Sequence, residues 1–458
     1  MRTRIVFLLS AGLLSLAGAR MASGQLPLLT LDQAVRAAVE HNRTLAGARA
    51  EVASAAWGVK KAYADWLPKV ELNAGVTRIN DEALRLANAP IDFIEGAPGL
   101  PPELKESIRP FAYKNTYSAG VTVLQPIYNG GLERVGIQAA DLIKERGGHA
   151  LRDTEQEVVS RVRKTYYAVL KAQELVRLSR ETERRTIAYL ESTRRKAGAG
   201  LRTSADILRW EAQAASDRGG VVDAENALAT AKAALNEGMG VDLDQDYTFE
   251  PPVAVLASAG GDLAPESLPP KPAHDPAAFR SHPGVLAARS LAGLQRTTLR
   301  RAWGEFQPQV NLAFSYAWEK NGTVALDGAK TWSTALMLRF PIFNSLGDYA
   351  QVRQAREDLR RAELLAQDVE RQWRLRAKSA DLALDSARER IGIARKGVEY
   401  AEANLQTVTR RYEAGVASNI DLIDAQTTAY QARALLIHAT YDAAIAQVEL
   451  ERATGKIQ

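Results

Sequence analysis

The sequence predicts a mainly α-helical chain that also carries part of a membrane β-barrel. Three observations lead there: an export signal with no later apolar span, an internal duplication, and an unbroken helical stretch of about 67 residues in each repeat. Residues 1–24 contain a basic start (Arg2, Arg4), an apolar run from Ile5 to Ala19, and a small-residue cut with Ala22 and Gly24 before Gln25. That pattern is a secretory signal peptide, so it is excluded from the fold. Its removal takes Arg2, Arg4 and Arg20 away and lowers the formal charge from +5 to +2. The basic balance is therefore not the footprint of a nucleic-acid partner, and none is expected. With no cysteine there is no disulfide, no thiolate metal site and no lipidated N-terminal Cys. No run of 18 apolar residues follows the signal. A membrane-spanning role would need a β-barrel, the other architecture that satisfies every backbone group in lipid.

The duplication sets the organisation. Shifting the sequence by 215 places lays "LQPIYNGG" (124–131) over "RFPIFNSL" (339–346), matching Pro126 with Pro341 and Asn129 with Asn344. Upstream the shift is 240, with Pro68 of "ADWLPKVELNAG" over Pro308 of "GEFQPQVNLAFS". The first repeat thus holds about 25 extra residues, "DEALRLANAPIDFIEGAPGLPPELK", which read as a long loop. Residues 25–240 form the first repeat, 241–276 a Pro-rich linker, and 277–458 the second repeat.

Each repeat has one order of elements. A helix (about 31–65, and 277–305) ends before a proline, which disfavours helix in the residue preceding it. Two alternating segments follow: Val70, Leu72, Ala74, Val76 and Tyr117, Ala119, Val121, Val123 in the first repeat. In the second they are Val310, Leu312, Phe314, Tyr316, Trp318 and Trp332, Thr334, Leu336, Leu338, Phe340. Pro126 and Pro341 are expected to close the second strand of each pair, and Asn129 and Asn344 to N-cap the next helix. Residues 130–196 and 346–412 contain no proline, and apolar residues recur there at three- and four-residue spacing (Val158, Val162, Tyr166, Val169). Such a stretch makes a helix on the order of 100 Å long, packed in coiled-coil fashion. A glycine turn and a return helix (about 204–238, and 418–453) complete each repeat.

Four strands with the length and alternation of transmembrane β-strands cannot close a barrel alone, since the smallest have about eight. The chain must oligomerise, and a homotrimer supplies twelve strands. The competing expectation is a soluble periplasmic coiled-coil scaffold or adaptor with its strands in an ordinary α+β domain.

The blocks "LTLDQAVRAAVEHNRTL", "LPKVELNAG", "LQPIYNGG" and the two hairpins "RRKAGAGLRTSADILR" (194–209) and "RRYEAGVASNIDLIDA" (410–425), in duplicated order, resemble the TolC-like outer membrane efflux protein family. The resemblance implies a homotrimer with a twelve-stranded barrel in outer membrane lipid and an α-helical barrel across the periplasm. It implies an exit duct for a tripartite pump or type I secretion system. The partners would be a periplasmic adaptor and an inner-membrane RND or ABC transporter.

The five histidines show no metal-ligand spacing, and neither a Walker loop nor a nucleophile elbow is present. Neither an enzyme nor a cofactor is expected. Candidate function lies in the hairpins. The resemblance associates Tyr412, Asp206, Asp421 and Asp424 with a closed periplasmic constriction and its holding contacts. It departs at Ala417, where the family's restraining arginine is missing; the equivalent position in the first hairpin is Arg202, and Asp424 is matched there by Arg209. Thr203-x-x-Asp206 and Ser418-x-x-Asp421 also fit capping boxes, so the two aspartates have a structural reading beside the functional one. Gly200, Leu201, Gly415 and Val416 form the turns, and Arg195 and Arg410 are placed either for adaptor docking or for the helix dipole. Pro68, Pro126, Pro308 and Pro341 mark the helix–strand junctions.

Overall fold

The protein is described by a computed structural model over residues 27–99, 101–200, 202–250, 277–323 and 327–457. The expected signal peptide, most of the expected linker and Leu201 lie outside the described residues.

Chain order begins with β1 (Leu28–Leu29), α1 (Leu31–His41), α2 (Arg43–Ala64), β2 (Lys69–Arg78), α3 (Asp81–Glu95), α4 (Pro102–Ser107) and β3 (Asn115–Asn129). The helices α5 (Leu132–Gly198) and α6 (Ser204–Met239) follow, then β4 (Thr248–Phe249), α7 (Pro283–Gly304), β5 (Gln309–Asn321) and β6 (Ala329–Arg339). The chain ends with α8 (Gly347–Glu413) and α9 (Asn419–Ala453). Both α5 and α8 are 67 residues long, about 100 Å at the helical rise.

The four longer strands form one antiparallel sheet in the order β2-β3-β5-β6. Its register aligns the alternation seen in the sequence. Leu72 faces Val121, Val121 faces Tyr316, and Tyr316 faces Trp332, so one face is apolar across all four strands. The other face carries Glu71, Thr122, Ser315 and Ser333 in register. Both outer strands, β2 and β6, are exposed along their whole length.

The helices repeat the lateral order of the sheet. Nearest the strands, α2, α5, α7 and α8 pack side by side; toward the hairpins the order is α6, α5, α9, α8. The main core lies midway along α5, where Val158, Val162, Tyr166 and Val169 meet Ala34 and Ala38 of α1, Leu235 and Met239 of α6, and Val448 of α9. The Tyr166 hydroxyl reaches the carbonyls of Leu29 and Glu250 at 2.8 and 2.6 Å, tying the β1–β4 ribbon to α5. Burial pushes its pKa up to about 12.

Several expectations need correction. The first helix is broken at Asn42, which C-caps α1 and N-caps α2, its Oδ1 accepting from the Thr44 and Leu45 amides. The extra residues of the first repeat fold into α3 and α4 rather than a loop. Asn80 caps α3, and Asn88 exchanges two hydrogen bonds with the Ala112 backbone. The Pro90 ring is accommodated inside α3, at the loss of one helical hydrogen bond. Pro126 does not end β3 but sits at a bulge within it, beyond the last β2 partner, where its missing N–H costs no ladder bond to β2. Asn129 and Asn344 are not N-caps. Two left-handed residues intervene, Gly130–Gly131 in one repeat and Ser345–Leu346 in the other. The asparagine amides instead donate to Glu133 and Asp348 in the first helical turn. Ser345 and Leu346 hold this conformation without glycine's freedom, which costs about 1–2 kcal/mol each.

The helix expected from residue 277 begins in earnest only at Pro283, because the residue before a proline avoids helical geometry. That residue, His282, is fully buried, accepts the Gly284 amide proton on Nδ1 at 3.1 Å, and stacks on Trp373 with ring centroids 3.4 Å apart. Burial, with help from Arg452 and Arg376, lowers its pKa from 6.5 to about 4. Between those values the unfolded chain binds a proton that the folded chain refuses, so stability rises with pH across that window. His282→Asn keeps a capping side chain without the titration. The stability advantage of the natural protein over this variant is expected to shrink by about 3 kcal/mol from pH 7 to pH 4. Thermal melts in detergent at the two pH values check this, and a gap independent of pH contradicts it.

Candidate functional site at the helical hairpins

The two hairpins lie side by side at the end of the molecule remote from the sheet. Each closes in the same way: a long helix stops, a left-handed glycine turns the chain (Gly200 φ 77°, Gly415 φ 76°), and a hydroxyl residue caps the return helix. Glycine is required because L side chains rarely adopt that φ. In the second hairpin Val416 and Ala417 amides both return to the Arg411 carbonyl, closing the helix end.

Both capping boxes form. The Thr203 amide donates to Asp206 Oδ2 at 3.0 Å and the Ser418 amide to Asp421 Oδ2 at 2.9 Å. These amide bonds, chiefly, hold both carboxyls below the usual aspartate range within the single chain. Asp206 does more than cap. Its Oδ1 accepts from Asn419 Nδ2 at 2.9 Å, and its backbone carbonyl accepts from the same nitrogen at 3.3 Å. Asn419 is buried at the first position of α9, so one amide joins the second hairpin to the first. Sequence reasoning missed it; the only signal was an asparagine where the other repeat has Ser204.

Tyr412 is buried, not on an open wall. It packs with Leu190, Trp210, Ala417 and Leu422 in a small tip core, and its hydroxyl lies 3.2 Å from Thr193 Oγ1. Trp210 is fully buried there and stacks on Tyr189 with centroids 5.2 Å apart. The guanidinium of Arg202 sits 4.5 Å over the Tyr412 ring and reaches its carbonyl at 3.5 Å. Ala417 is buried beneath, where no long side chain fits without displacing this core. Arg202, the repeat equivalent of Ala417, thus brings a cation to Tyr412 from the opposite hairpin.

Asp421 and Asp424 are exposed, three residues apart on α9, and neither has an ion pair among the described residues. Arg209 is exposed on α6 and likewise unpaired. Arg195 and Arg410 are exposed in the last turns of their helices, while neighbouring Arg194 pairs with Glu211 at 2.6 Å. Val416 is exposed at the turn. Of the junction prolines, Pro68 and Pro308 immediately precede β2 and β5, and Pro341 follows β6.

Residues 34–241 and 281–456 match the family described as outer membrane efflux protein. The chain belongs to that family. It is 25% identical to the outer membrane efflux protein BepC of Brucella suis, over 87% of this chain and 84% of that protein. It is 23% identical to the alkaline protease secretion protein AprF of Pseudomonas aeruginosa, over 72% of this chain and 67% of that protein. Its fold is that of the Campylobacter jejuni CmeC outer membrane channel, with a TM-score of 0.76 at 18% identity, covering 93% of this chain and 86% of that one. The protein is thus located in the outer membrane, with its long helices on the periplasmic side.

Proposed function

We propose that the chain is one third of an exit duct that carries cargo through the periplasm and outer membrane. The observation that carries this reading is the shared pair of open edges. On one side, β6 runs into α8; on the other, β2 follows α2, with α6 continuing that edge toward the tip. β2 and β6 run antiparallel, so β6 of one copy can pair with β2 of the next and leave no edge in lipid.

The helical edges are complementary in shape. Leu364, Leu375, Leu382, Ile393 and Tyr400 on α8 are all more than half exposed. Their spacing alternates between 11 and 7 residues; 18 residues complete five helical turns, so they form one stripe. The exposed face of α6 offers mainly small residues, Ala212, Ala215, Gly219 and Ala229, alongside Leu208 and Val222. Large side chains on one edge and small ones on the other favour a head-to-tail contact that closes into a ring. Three copies supply twelve strands.

The hairpins would then form the constriction. Asp421 and Asp424 would make two rings of three carboxylates, which attract cations; crowding of like charges would oppose the lowering that the Ser418 cap gives Asp421. The Arg202–Tyr412 and Asn419–Asp206 contacts hold the hairpins together in the closed form. Arg195, Arg410, Gly200, Gly415 and Val416 lie where a periplasmic adaptor would dock, linking the duct to an inner-membrane RND or ABC transporter. AprF is named for protease secretion and BepC for efflux, so both cargo classes are carried within the family. Membrane fractionation tests the reading: the protein is expected in the outer membrane as an oligomer that resists SDS until heated. Recovery as a soluble periplasmic protein would instead support the scaffold reading.

A further inference from the structure

The apolar face of the sheet ends in cations. It carries every second residue from Val70 to Arg78 on β2, Asn115 to Val123 on β3, Val310 to Lys320 on β5 and Lys330 to Leu338 on β6. Among these positions Arg78, Lys320 and Lys330 alone are charged. All three are basic, and all stand at the end of the sheet remote from α5 and α8. Arg78 is the last residue of β2 and Lys330 the second of β6. Both are exposed, and neither has an ion pair among the described residues. Asp81, just beyond Arg78 in the chain, is taken by Lys114 at 2.6 Å, and Lys320 is taken by Asp327 at 2.8 Å. Aromatic rings border the cations on the same face. Tyr117 is opposite Lys320, Trp318 is opposite Lys330, and Trp332 follows Lys330 along β6 with 71% of its surface exposed.

In a closed barrel this apolar face turns to lipid. From Arg78 to Val70, and from Lys330 to Leu338, the strands span about 27 Å along their length and about 20 Å in height at a barrel's tilt. That is close to the apolar band of a membrane barrel, roughly 25 Å tall and edged by aromatic rings. The cations therefore stand at its outer border, level with the headgroups of the outer leaflet. The periplasmic border of the same face, with Val70, Val310 and Leu338, has no charge. Where β6 of one copy meets β2 of the next, Lys330 and Arg78 come to neighbouring strands about 4.8 Å apart. Each seam thus joins two unpaired cations beside lipid. Arginine forks two oxygens of a phosphate and lysine meets it as a point charge. A zwitterionic phospholipid answers its phosphate with its own ammonium, whereas a phosphate monoester carries about −1.5 to −2 charge at neutral pH.

We infer that each seam binds a phosphorylated glycolipid of the outer leaflet, its phosphate held by Lys330 of one copy and Arg78 of the next, with Trp332 against its acyl chains. A lipid held there ties neighbouring copies together at the outer rim, beyond the reach of the long helices. The inference rests on the duct reading, because the seam exists only in the closed ring.

Native mass spectrometry of the detergent-solubilised full chain with added diphosphoryl lipid A tests it. The oligomer is expected to retain lipid A, one molecule per seam, and to retain neither dephosphorylated lipid A nor phosphatidylethanolamine. Millimolar inorganic phosphate is expected not to displace it, because the acyl chains contribute to binding. Arg78→Gln/Lys330→Gln should weaken retention at least tenfold, and Arg78→Lys/Lys330→Arg should preserve it. Lys69→Gln/Arg339→Gln is the control: it takes two cations from the polar face of the same two strands and should change nothing. All three double variants are expected to keep the SDS-resistant oligomer, since these side chains are exposed. Equal retention of dephosphorylated lipid A, displacement by inorganic phosphate, or unchanged binding in the first variant overturns the inference. In those cases an intact oligomer that conducts leaves the duct reading standing. A chain that stays monomeric overturns both.

Discussion

Replacing Asn419 and Arg202 together with alanine is expected to open the constriction, raising the single-channel conductance of the reconstituted protein severalfold. Both side chains cross between hairpins, and neither is part of a capping box. Asn419 gives an amide hydrogen bond to a carboxylate, an interaction that contributes about 1.5–3 kcal/mol. Arg202 over Tyr412 adds about 0.5–2 kcal/mol. Loss of both favours the open form by more than 1.4 kcal/mol per protomer, or over tenfold in the open–closed equilibrium. Thr203–Asp206 and Ser418–Asp421 survive in this variant, so both return helices keep their N-termini. Each single variant should give a smaller increase. Conductance equal to that of the unmodified channel would remove these contacts from the closed state.

Leu375→Glu with Leu382→Glu is expected to abolish assembly, leaving a monomer in place of the SDS-resistant oligomer. Both leucines are more than half exposed in the single chain, so the helix itself does not need them. In the ring each leucine would bury an apolar side chain that contributes about 1.5–3 kcal/mol. The glutamates would put unpaired carboxylates in the same place, at a cost of several kcal/mol more. Circular dichroism should show unchanged helix. Leu384→Glu serves as the contrast: Leu384 lies on the same helix but is 1% exposed, so its replacement should disrupt the chain itself. An oligomer that tolerates the double substitution would place the protomer contact elsewhere.

Much of the fold was legible because periodicity is a backbone property. The long helices, the four strands and the apolar strand face all follow from spacing along one segment, as in Val70–Leu72–Ala74–Val76. What escaped depended on partners distant in sequence. Asn42 breaks the first helix while its amide donates to the Gly238 carbonyl, and α3 holds through Asn88 and Ala112. The hairpins show the same division. The capping boxes could be read from three-residue spacing, but the second role of Asp206 could not, because its partner Asn419 lies 213 residues away. The burial of Tyr412 was likewise hidden, because Trp210 and Leu422 that close around it are distant in sequence or across the turn. The duplicated repeats have diverged there in a complementary way: Tyr412 and Trp210 correspond to Ala197 and Ala425, so at these two positions each repeat carries one large ring and one small residue.

The central claim is that copies of this chain close into a membrane duct. Single-channel recording of the purified oligomer in planar lipid bilayers tests it most directly. Discrete conductance steps are expected, because the joined sheets enclose an aqueous pore. A protein that leaves the bilayer electrically silent, alone and with Asn419 and Arg202 both replaced, would contradict it.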